Sequence, residues 1–405
     1  MGLSLLWVTP YLYSKYGDGV HERALARAMA QVGDNLTVVS LTRSGVRESS
    51  KKHLHEMHGV CEFTLPAMPP YFISAFAWAL LISVFLVITR FGRRFKAVCV
   101  RDIPMACGFV ATKWAHGLPV VVRAGSFMSD ELHLWSDSFL SRVVTLILRV
   151  MEDYTFPRAQ LVVAYSQPFA HDLLRRCGVP SCKVVVSSVG VDTELFSRVP
   201  RPRKYSAANF IGYAGSMAPW QGLDVLVRAF AIVNKESPES RLVILTQQKP
   251  TPSIEGLIRI LDLRDKVRFC AVPHAKMPEA YSTIDVFVVP RHQGPTLSAI
   301  PMKLLEACAA GKAIIISATP SISSIVTDGQ DCLLFEPGDF TELAVKIQTL
   351  LRDVQTRTNL GKAARRLAYA YDWKKIAQRL HDHIDCVVHK TRPVRVSGDS
   401  MSDSS

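Results

Sequence analysis

Between residues 286 and 311 the chain places an apolar VFVV run, a loop rich in turn formers and a Pro-led helical stretch that stops at Gly311. Pro301 suits the first turn of a helix, where the N–H it lacks has no partner anyway, and Gly311 suits the end. A helix starting there offers free N–H groups and a positive dipole end, a ready seat for an anion such as a diphosphate. Glu306 lies about a turn and a half in; its blander reading is a solvated helix glutamate. Arg291 and Lys303 flank the same spot. In the first half, Gly17-Asp18-Gly19 follows an apolar run. Glycines let the backbone approach a phosphate or sugar closely, although so short a stretch also serves as an ordinary turn. His21 and Glu22 come next. Arg101-Asp102 and the stretch from Arg123 to Ser126 each end a predicted strand, where ligands of α/β sheets are met.

The elements that must position these residues alternate. In the first half, strands are predicted at 3–8, 36–41, 97–100, 118–123, 161–165 and 183–187, with a helix over 20–32. A Pro- and Arg-containing break, RVPRPRKYS at 198–206, reads as a linker. Strands at 210–213, 241–245, 267–270, 286–289, 313–316 and 332–335 follow, with a helix over 222–234. The pattern is α/β, with two doubly wound parallel sheets and a cleft between them. The domains expected are 1–200, 205–370, a last helix at 371–390 packing back toward the first domain, and a disordered polar tail at 391–405.

The chain has 405 residues, 48% of them hydrophobic and 20% charged, which suits a globular protein. Its net charge is +13. Residues 1–204 hold 24 Lys and Arg against 15 Asp and Glu, so the basic excess sits mostly in the first half and points to phosphates or an anionic membrane. No charge occurs between Glu62 and Arg90. Within that gap, 72–88 is apolar all round and helical in length, with Phe72, Phe76, Trp78, Leu81 and Phe85 along it and Arg90, Arg93 and Arg94 as a basic collar. Strands before and after belong to one sheet, so a crossing would split a domain; the stretch reads as an interfacial helix on anionic lipid, or else as a core helix. Nine scattered cysteines without a CxxC pair argue against structural zinc and for a reducing compartment. The His53, His55, His58 and His381, His383, Cys386, His389 clusters lack a closed ligand set, so no metal is expected. No secretory leader is evident, and no nucleic-acid module either, so no nucleic-acid partner is expected.

Several passages resemble glycosyltransferase family 4, retaining enzymes of the two-Rossmann-domain GT-B fold. They are VVSSVGVDTELF at 185–196, IGYAGSMAPWQGL at 211–223, the stretch 267–290, PMKLLEACAAGK at 301–312, similar to "PlKllEamAcGkP", and TDGQDCLLFEPGD at 327–339. The first half matches loosely, through 17–27 and 100–102. The resemblance implies transfer of a sugar from a UDP- or GDP-linked donor with retention and without a metal or other cofactor. It places the donor in the second domain and a glycan or lipid-linked acceptor in the first, on the cytoplasmic face of a membrane. Glu306 would hold the donor ribose, with Gly17, Gly19, Ser216, Gln221, Val272, Pro295, Thr296 and Leu297 as further donor contacts. His21, Glu22, Asp102, Arg123 and Ser126 would face the acceptor. Two departures stand out. The family's second Glu, eight residues before Glu306, is Ser298 here, and the Arg and Lys of its glycine turn are Ser216 and Gln221. Ser298, Arg291 and Lys303 are the catalytic candidates, the two cations compensating for the turn. The alternatives are a catalytically silent relative that binds a ligand or scaffolds a partner, and a GT-B epimerase, whose converging acidic or His residues are not evident.

Overall fold

The structure is a computed structural model that describes residues 2–12, 14, 17–42, 60–66, 71–132, 138–198, 209–292 and 300–391. The chain falls into two compact bodies. The first runs through Met1–Tyr165 and Phe169–Ser187 and includes Lys374–Ser405; the second takes Ser166–Pro168 and Ser188–Trp373. In the first body, β1 (Ser4–Thr9), α1 (Gly17–Gln31), β2 (Asn35–Thr42), β3 (Val60–Pro66), α2 (Tyr71–Ile88), β4 (Ala97–Val100), α3 (Ile103–Ala111) and α4 (Lys113–His116) come first. Then follow β5 (Val120–Ala124), α5 (Met128–Leu132), α6 (Phe139–Arg158), β6 (Leu161–Ala164), α7 (Gln167–Cys177) and β7 (Val184–Val186). The seven strands form a parallel sheet in the order β3-β2-β1-β4-β5-β6-β7. Runs such as VVVRA in β5 are buried at every position, as parallel strands covered on both faces must be.

The second body contains α8 (Thr193–Ser197), β8 (Phe210–Ala214), α9 (Leu223–Glu236), β9 (Arg241–Leu245), α10 (Pro252–Ile260), β10 (Val267–Cys270), α11 (Met277–Ser282) and β11 (Val286–Val289). It continues with α12 (Met302–Ala309), β12 (Ala313–Ser317), α13 (Pro320–Ser323), β13 (Leu333–Phe335), α14 (Phe340–Arg352) and α15 (Val354–Ala368), and α16 (Trp373–His389) closes the described chain. Its six strands are again parallel, in the order β10-β9-β8-β11-β12-β13. The two doubly wound sheets that the alternation implies are both present.

Three features depart from the sequence reading. β3 is an extra strand at the sheet edge, and its half-exposed pattern gives no clean period to read. The bodies divide at Ser187/Ser188, ahead of the 198–206 break, because 188–197 packs into the second body. There the Val191 N–H donates to the Tyr371 carbonyl at 2.9 Å and Thr193 Oγ1 to Asp372 at 2.5 Å. A Cβ on Gly190 would meet the Trp373 ring at 2.5 Å. Lastly, α1 begins at Gly17, so the glycine pair forms its first turn instead of a loop ahead of it. From Lys374 on, α16 counts with the first body, where His381 bonds Asp34 at 2.8 Å. The tail beyond 391 lies outside the described residues, as do His53, His55 and His58.

The apolar stretch forms α2, and only five of its 18 residues are buried: Ser74, Ala75, Ala79, Ser83 and Leu86. It is long and apolar enough to cross a membrane. Yet it joins β3 to β4 within one parallel sheet and packs on α3, where a Cβ on Gly108 would lie 2.6 Å from Ala79. The core-helix reading is therefore wrong for its outer side. Ser74, Ala75, Ala79 and Ser83 face the protein, and Leu81, Val84, Phe85 and Ile88 are exposed. Phe72, Phe76 and Trp78 are half-buried, with the Trp78 indole N–H donating to the Pro66 carbonyl at 2.8 Å. Arg90 ends the helix in a left-handed conformation, and Arg93 and Arg94 follow in an exposed turn.

Candidate active site

In the second body the carboxyl ends of β8 and β11 and the start of α12 converge. Lys303, in the first turn of α12, donates through Nζ to Gln221 Oε1 at 2.8 Å and to the Tyr213 hydroxyl at 3.1 Å. Tyr213 in turn donates to the Ser216 carbonyl at 2.6 Å. Gly215 is required here: its φ is 139°, and a Cβ would sit 2.5 Å from the Lys303 ammonium. Gly222 is required as well, with φ 67° and the Pro290 carbonyl 1.5 Å from where a Cβ would stand. Arg291, 7% exposed, leaves β11 beside this turn. Burial pushes the Arg291 pKa down to about 10. Burial, and then the neighbouring Arg291, holds Lys303 well below the usual lysine range. Two cations are thus kept in a desolvated place, bonded in the case of Lys303 to neutral oxygens. An arriving anion relieves that cost.

One turn further along α12, Glu306 is 7% exposed. Tyr281 donates to its Oε2 at 2.9 Å, and His274 Nε2 lies 3.2 Å from Oε1. The Tyr281 ring stacks on Phe287 at 4.8 Å, which fixes the hydroxyl. Glu306 is therefore a held carboxylate, and the solvated reading does not apply. Tyr213, Tyr281 and His274 carry the arrangement, yet they stand tens of residues from what they hold. Only the fold brings them together. Val272 is half-buried beyond β10. Pro295, Thr296, Leu297 and Ser298 lie outside the described residues.

In the first body a pocket of about 110 Å³ opens at the carboxyl ends of β4 and β5. Tyr11, Asp18, Arg101, Asp102, Arg123, Ser126 and Glu131 are among its lining residues. Beneath it, Glu22 is fully buried, receiving Arg123 at 3.1 and 2.9 Å, Arg101 at 3.1 Å and the Trp7 indole N–H at 3.1 Å. Burial alone would raise the Glu22 carboxyl; Arg123 and Arg101 overturn it and hold the group far below the carboxylate range. Burial, with Arg101 beside it, keeps His21 neutral. The expectation that His21 and Glu22 face an acceptor is thus corrected: they are framework under the pocket floor. Asp102 caps α3 through the Met105 N–H at 3.1 Å and accepts from the Tyr71 hydroxyl at 3.2 Å. Burial raises it to about 6 against both bonds. Ser126 bonds Glu131, a carboxylate that the sequence reading missed. The two glycines of α1 differ. A Cβ on Gly19 would strike the Ser14 carbonyl at 2.0 Å, whereas Gly17 has open space.

A larger cavity of about 450 Å³ in the second body lies at the amino ends of β11 and β12, the wrong end of the sheet for a ligand. Its Lys312 and Arg365 serve backbone carbonyls. Among the described residues no group of His, Cys, Asp and Glu is placed to hold a metal ion.

Two family descriptions match the chain: "Glycosyltransferase Family 4" over residues 17–195 and "Glycosyl transferases group 1" over 199–367. The chain belongs to glycosyltransferase family 4. Among the relatives of this family 4 protein is the sulfoquinovosyl transferase SQD2 of Arabidopsis thaliana, 24% identical over 88% of this chain and 68% of that one. The D-inositol 3-phosphate glycosyltransferase of Kribbella flavida is 27% identical over 56% of each chain. The chain thus spans little more than half the length of that curated relative. Among solved structures, sucrose-phosphate synthase of Thermosynechococcus elongatus superposes with a TM-score of 0.77 at 18% identity, covering 96% of this chain and all of that one. HepE of Anabaena, solved with UDP and glucose, gives 0.73 at 16% identity over 95% of this chain and 99% of that one. These likenesses confirm the GT-B fold.

Proposed function

We propose that this family 4 protein transfers a sugar from a nucleotide-diphosphate donor, UDP- or GDP-linked, to a hydroxyl of a lipid-linked or glycan acceptor, with retention and without a metal. The observation that carries the reading is the donor cradle: a half-buried Lys303 bonded to neutral oxygens and a buried Arg291, beside a Glu306 gripped by Tyr281 and His274. A diphosphate seated on the first N–H groups of α12 meets both cations. Glu306 is placed to accept from the ribose hydroxyls. As the bond from the anomeric carbon to the diphosphate oxygen breaks, the acceptor oxygen bonds to that carbon and its hydroxyl proton passes to the departing diphosphate. The leaving diphosphate gains charge, which the cations and the helix end stabilise.

The pocket of the first body, with Asp102, Ser126 and Glu131, suits the hydroxyls of the acceptor. The silent-relative alternative leans on Ser216 and Gln221, where the family's glycine turn carries cations, and on Ser298, where the family has its second Glu. Lys303 reaches Gln221 from the opposite element and keeps a cation beside the turn, which favours a working site. The apolar outer face of α2 with Arg90, Arg93 and Arg94 supports a peripheral position on an anionic membrane. All nine cysteines are free, which fits a cytoplasmic face. A relative in Campylobacter jejuni bears the name of an N-acetylgalactosaminyltransferase acting on a diphospho-undecaprenol sugar, and it supports a lipid-linked acceptor.

The test is a thermal-shift series with UDP-, GDP- and ADP-sugars, followed by nucleoside diphosphate release from the donor that binds. The reading expects one base to raise the melting point, and expects Glu306→Ala to abolish both the shift and the turnover. A Glu306→Ala protein that binds and turns over as the parent does would refute it.

A further inference from the structure

The helix α6 is built inside out. Its buried stripe is Ser141, Thr145, Leu148, Glu152, Thr155 and Phe156, four of the six polar. Its outward residues are Phe139, Leu140, Val143, Leu146, Ile147 and Val150; Phe139 is 83% exposed and Leu140 70%. The helix α9 shows what water demands instead. Leu223, Leu226, Phe230 and Val233 turn inward there, and Arg228 and Lys235 turn out. An ordinary amphipathic helix keeps its apolar stripe for the core, and a contiguous exposed apolar face on a monomer marks an interaction surface.

This face does not stand alone. The helices α2 and α6 both pack on α3, eight of whose nine residues are buried. Each turns mostly small or polar residues inward, with Leu86 on α2 and Leu148 and Phe156 on α6 as the exceptions, and large apolar ones outward. The short helix α4 packs against α2 and leaves Trp114 88% exposed. On α6, Arg142 and Arg149 sit among the apolar residues, and no acid precedes Glu152. Next to α2 come Arg90, Arg93, Arg94 and Lys96. Apolar area mixed with basic side chains is complementary to an anionic lipid surface.

We propose that α6, together with Trp114, is a second lipid-binding foot, so that the first body lies on an anionic bilayer through α2 and α6 jointly. The proposal goes beyond the α2 contact and partly rests on it. It also explains how a lipid-anchored acceptor reaches its pocket. The start of α2 touches the pocket wall through the bond from Tyr71 to Asp102, and α5, which precedes α6, carries Glu131.

The test is co-sedimentation of the full chain with vesicles of phosphatidylcholine alone or with a quarter of phosphatidylglycerol. The variants are Leu140→Glu/Leu146→Glu on α6, Leu81→Glu/Phe85→Glu on α2, and Val354→Glu, an exposed apolar position on α15, as control. The parent and the control should bind the anionic vesicles. The α6 variant should lose at least about ten-fold in partitioning while melting at the parent temperature. If the α6 variant binds as the parent does while the α2 variant does not, this inference falls and the α2 contact stands. If the parent ignores vesicles, both fall. If sedimentation without lipid shows a parent dimer that the α6 substitutions make monomeric, the face belongs to a second copy and the lipid assignment is overturned.

Discussion

Each body keeps two cations at the carboxyl ends of its strands, and it treats them in opposite ways. In the first, Arg101 and Arg123 converge on a single fully buried carboxylate, Glu22, and Arg101 also meets Asp18 at 2.7 Å. Both arginines are held above their ordinary range although burial works against them, Arg101 by Tyr165, Glu22 and Asp18 and Arg123 chiefly by Glu22. In the second, burial pushes Arg291 and Lys303 down, and Lys303 bonds neutral groups. One pair is a finished internal bridge. The other is held down by burial with Lys303 against neutral oxygens, which is how the seat proposed for an anionic leaving group differs from framework.

The largest expected effect breaks the finished bridge. Glu22→Gln keeps the shape but leaves two largely buried guanidinium groups without their shared carboxylate, so urea unfolding should show a loss of about 3–5 kcal/mol. Nucleoside diphosphate affinity per folded molecule should stay as it is. A variant that unfolds with the parent would show that Arg123 does not depend on Glu22.

Lys303→Met should do the reverse. Removing a half-buried, partly desolvated cation leaves the melting temperature unchanged or higher, while donor turnover falls by about 10²–10³-fold. There is also a proton signature. Because the folded chain holds Lys303 below the usual lysine pKa, the unfolded chain binds more protons between the two values, and stability rises with pH across that window. A bound diphosphate raises the pKa again, so binding within that window should take up protons. Calorimetry in two buffers of different ionisation enthalpy measures that uptake, and it should vanish in Lys303→Met. Uptake that persists in the variant would place the titrating group elsewhere.

Much of this contrast was legible in the sequence, and the missing parts have physical causes. The parallel strands declare themselves because runs such as VFVV in β11 and AIIIS in β12 are covered on both faces. The anion seat proposed at α12 is suggested by Pro301 and Gly311. Glu22 misled because its neighbours in sequence, the glycines of α1, mark a cleft, whereas its partners Arg101 and Arg123 stand about 80 and 100 positions away. Tyr281 and His274 are equally remote from Glu306. The apolar stretch declared α2 by composition alone. On α6, however, the serine, threonine and arginine residues dilute the signal, and only burial shows which side they take.

The smallest expected effect sharpens the comparison at the pocket wall. Asp102 is 3% exposed, and burial lifts it to about 6, so here the first body does leave one charge poorly compensated. The folded chain binds a proton that the unfolded chain has already released between about pH 4 and 6, and the stability contributed by protonated Asp102 is therefore lost as pH rises through that window. Asp102→Asn keeps an oxygen for the Met105 N–H and removes the titration. Its melting temperature should match the parent at pH 4 and exceed it at pH 7.5, by an amount corresponding to roughly 3 kcal/mol or less. The raised carboxyls of Glu62, Glu131 and Glu152 titrate in both proteins and cancel in the difference. Parallel pH profiles for the two proteins would show that Asp102 ionises at its ordinary pKa and that the bonds from Tyr71 and Met105 suffice to hold its charge.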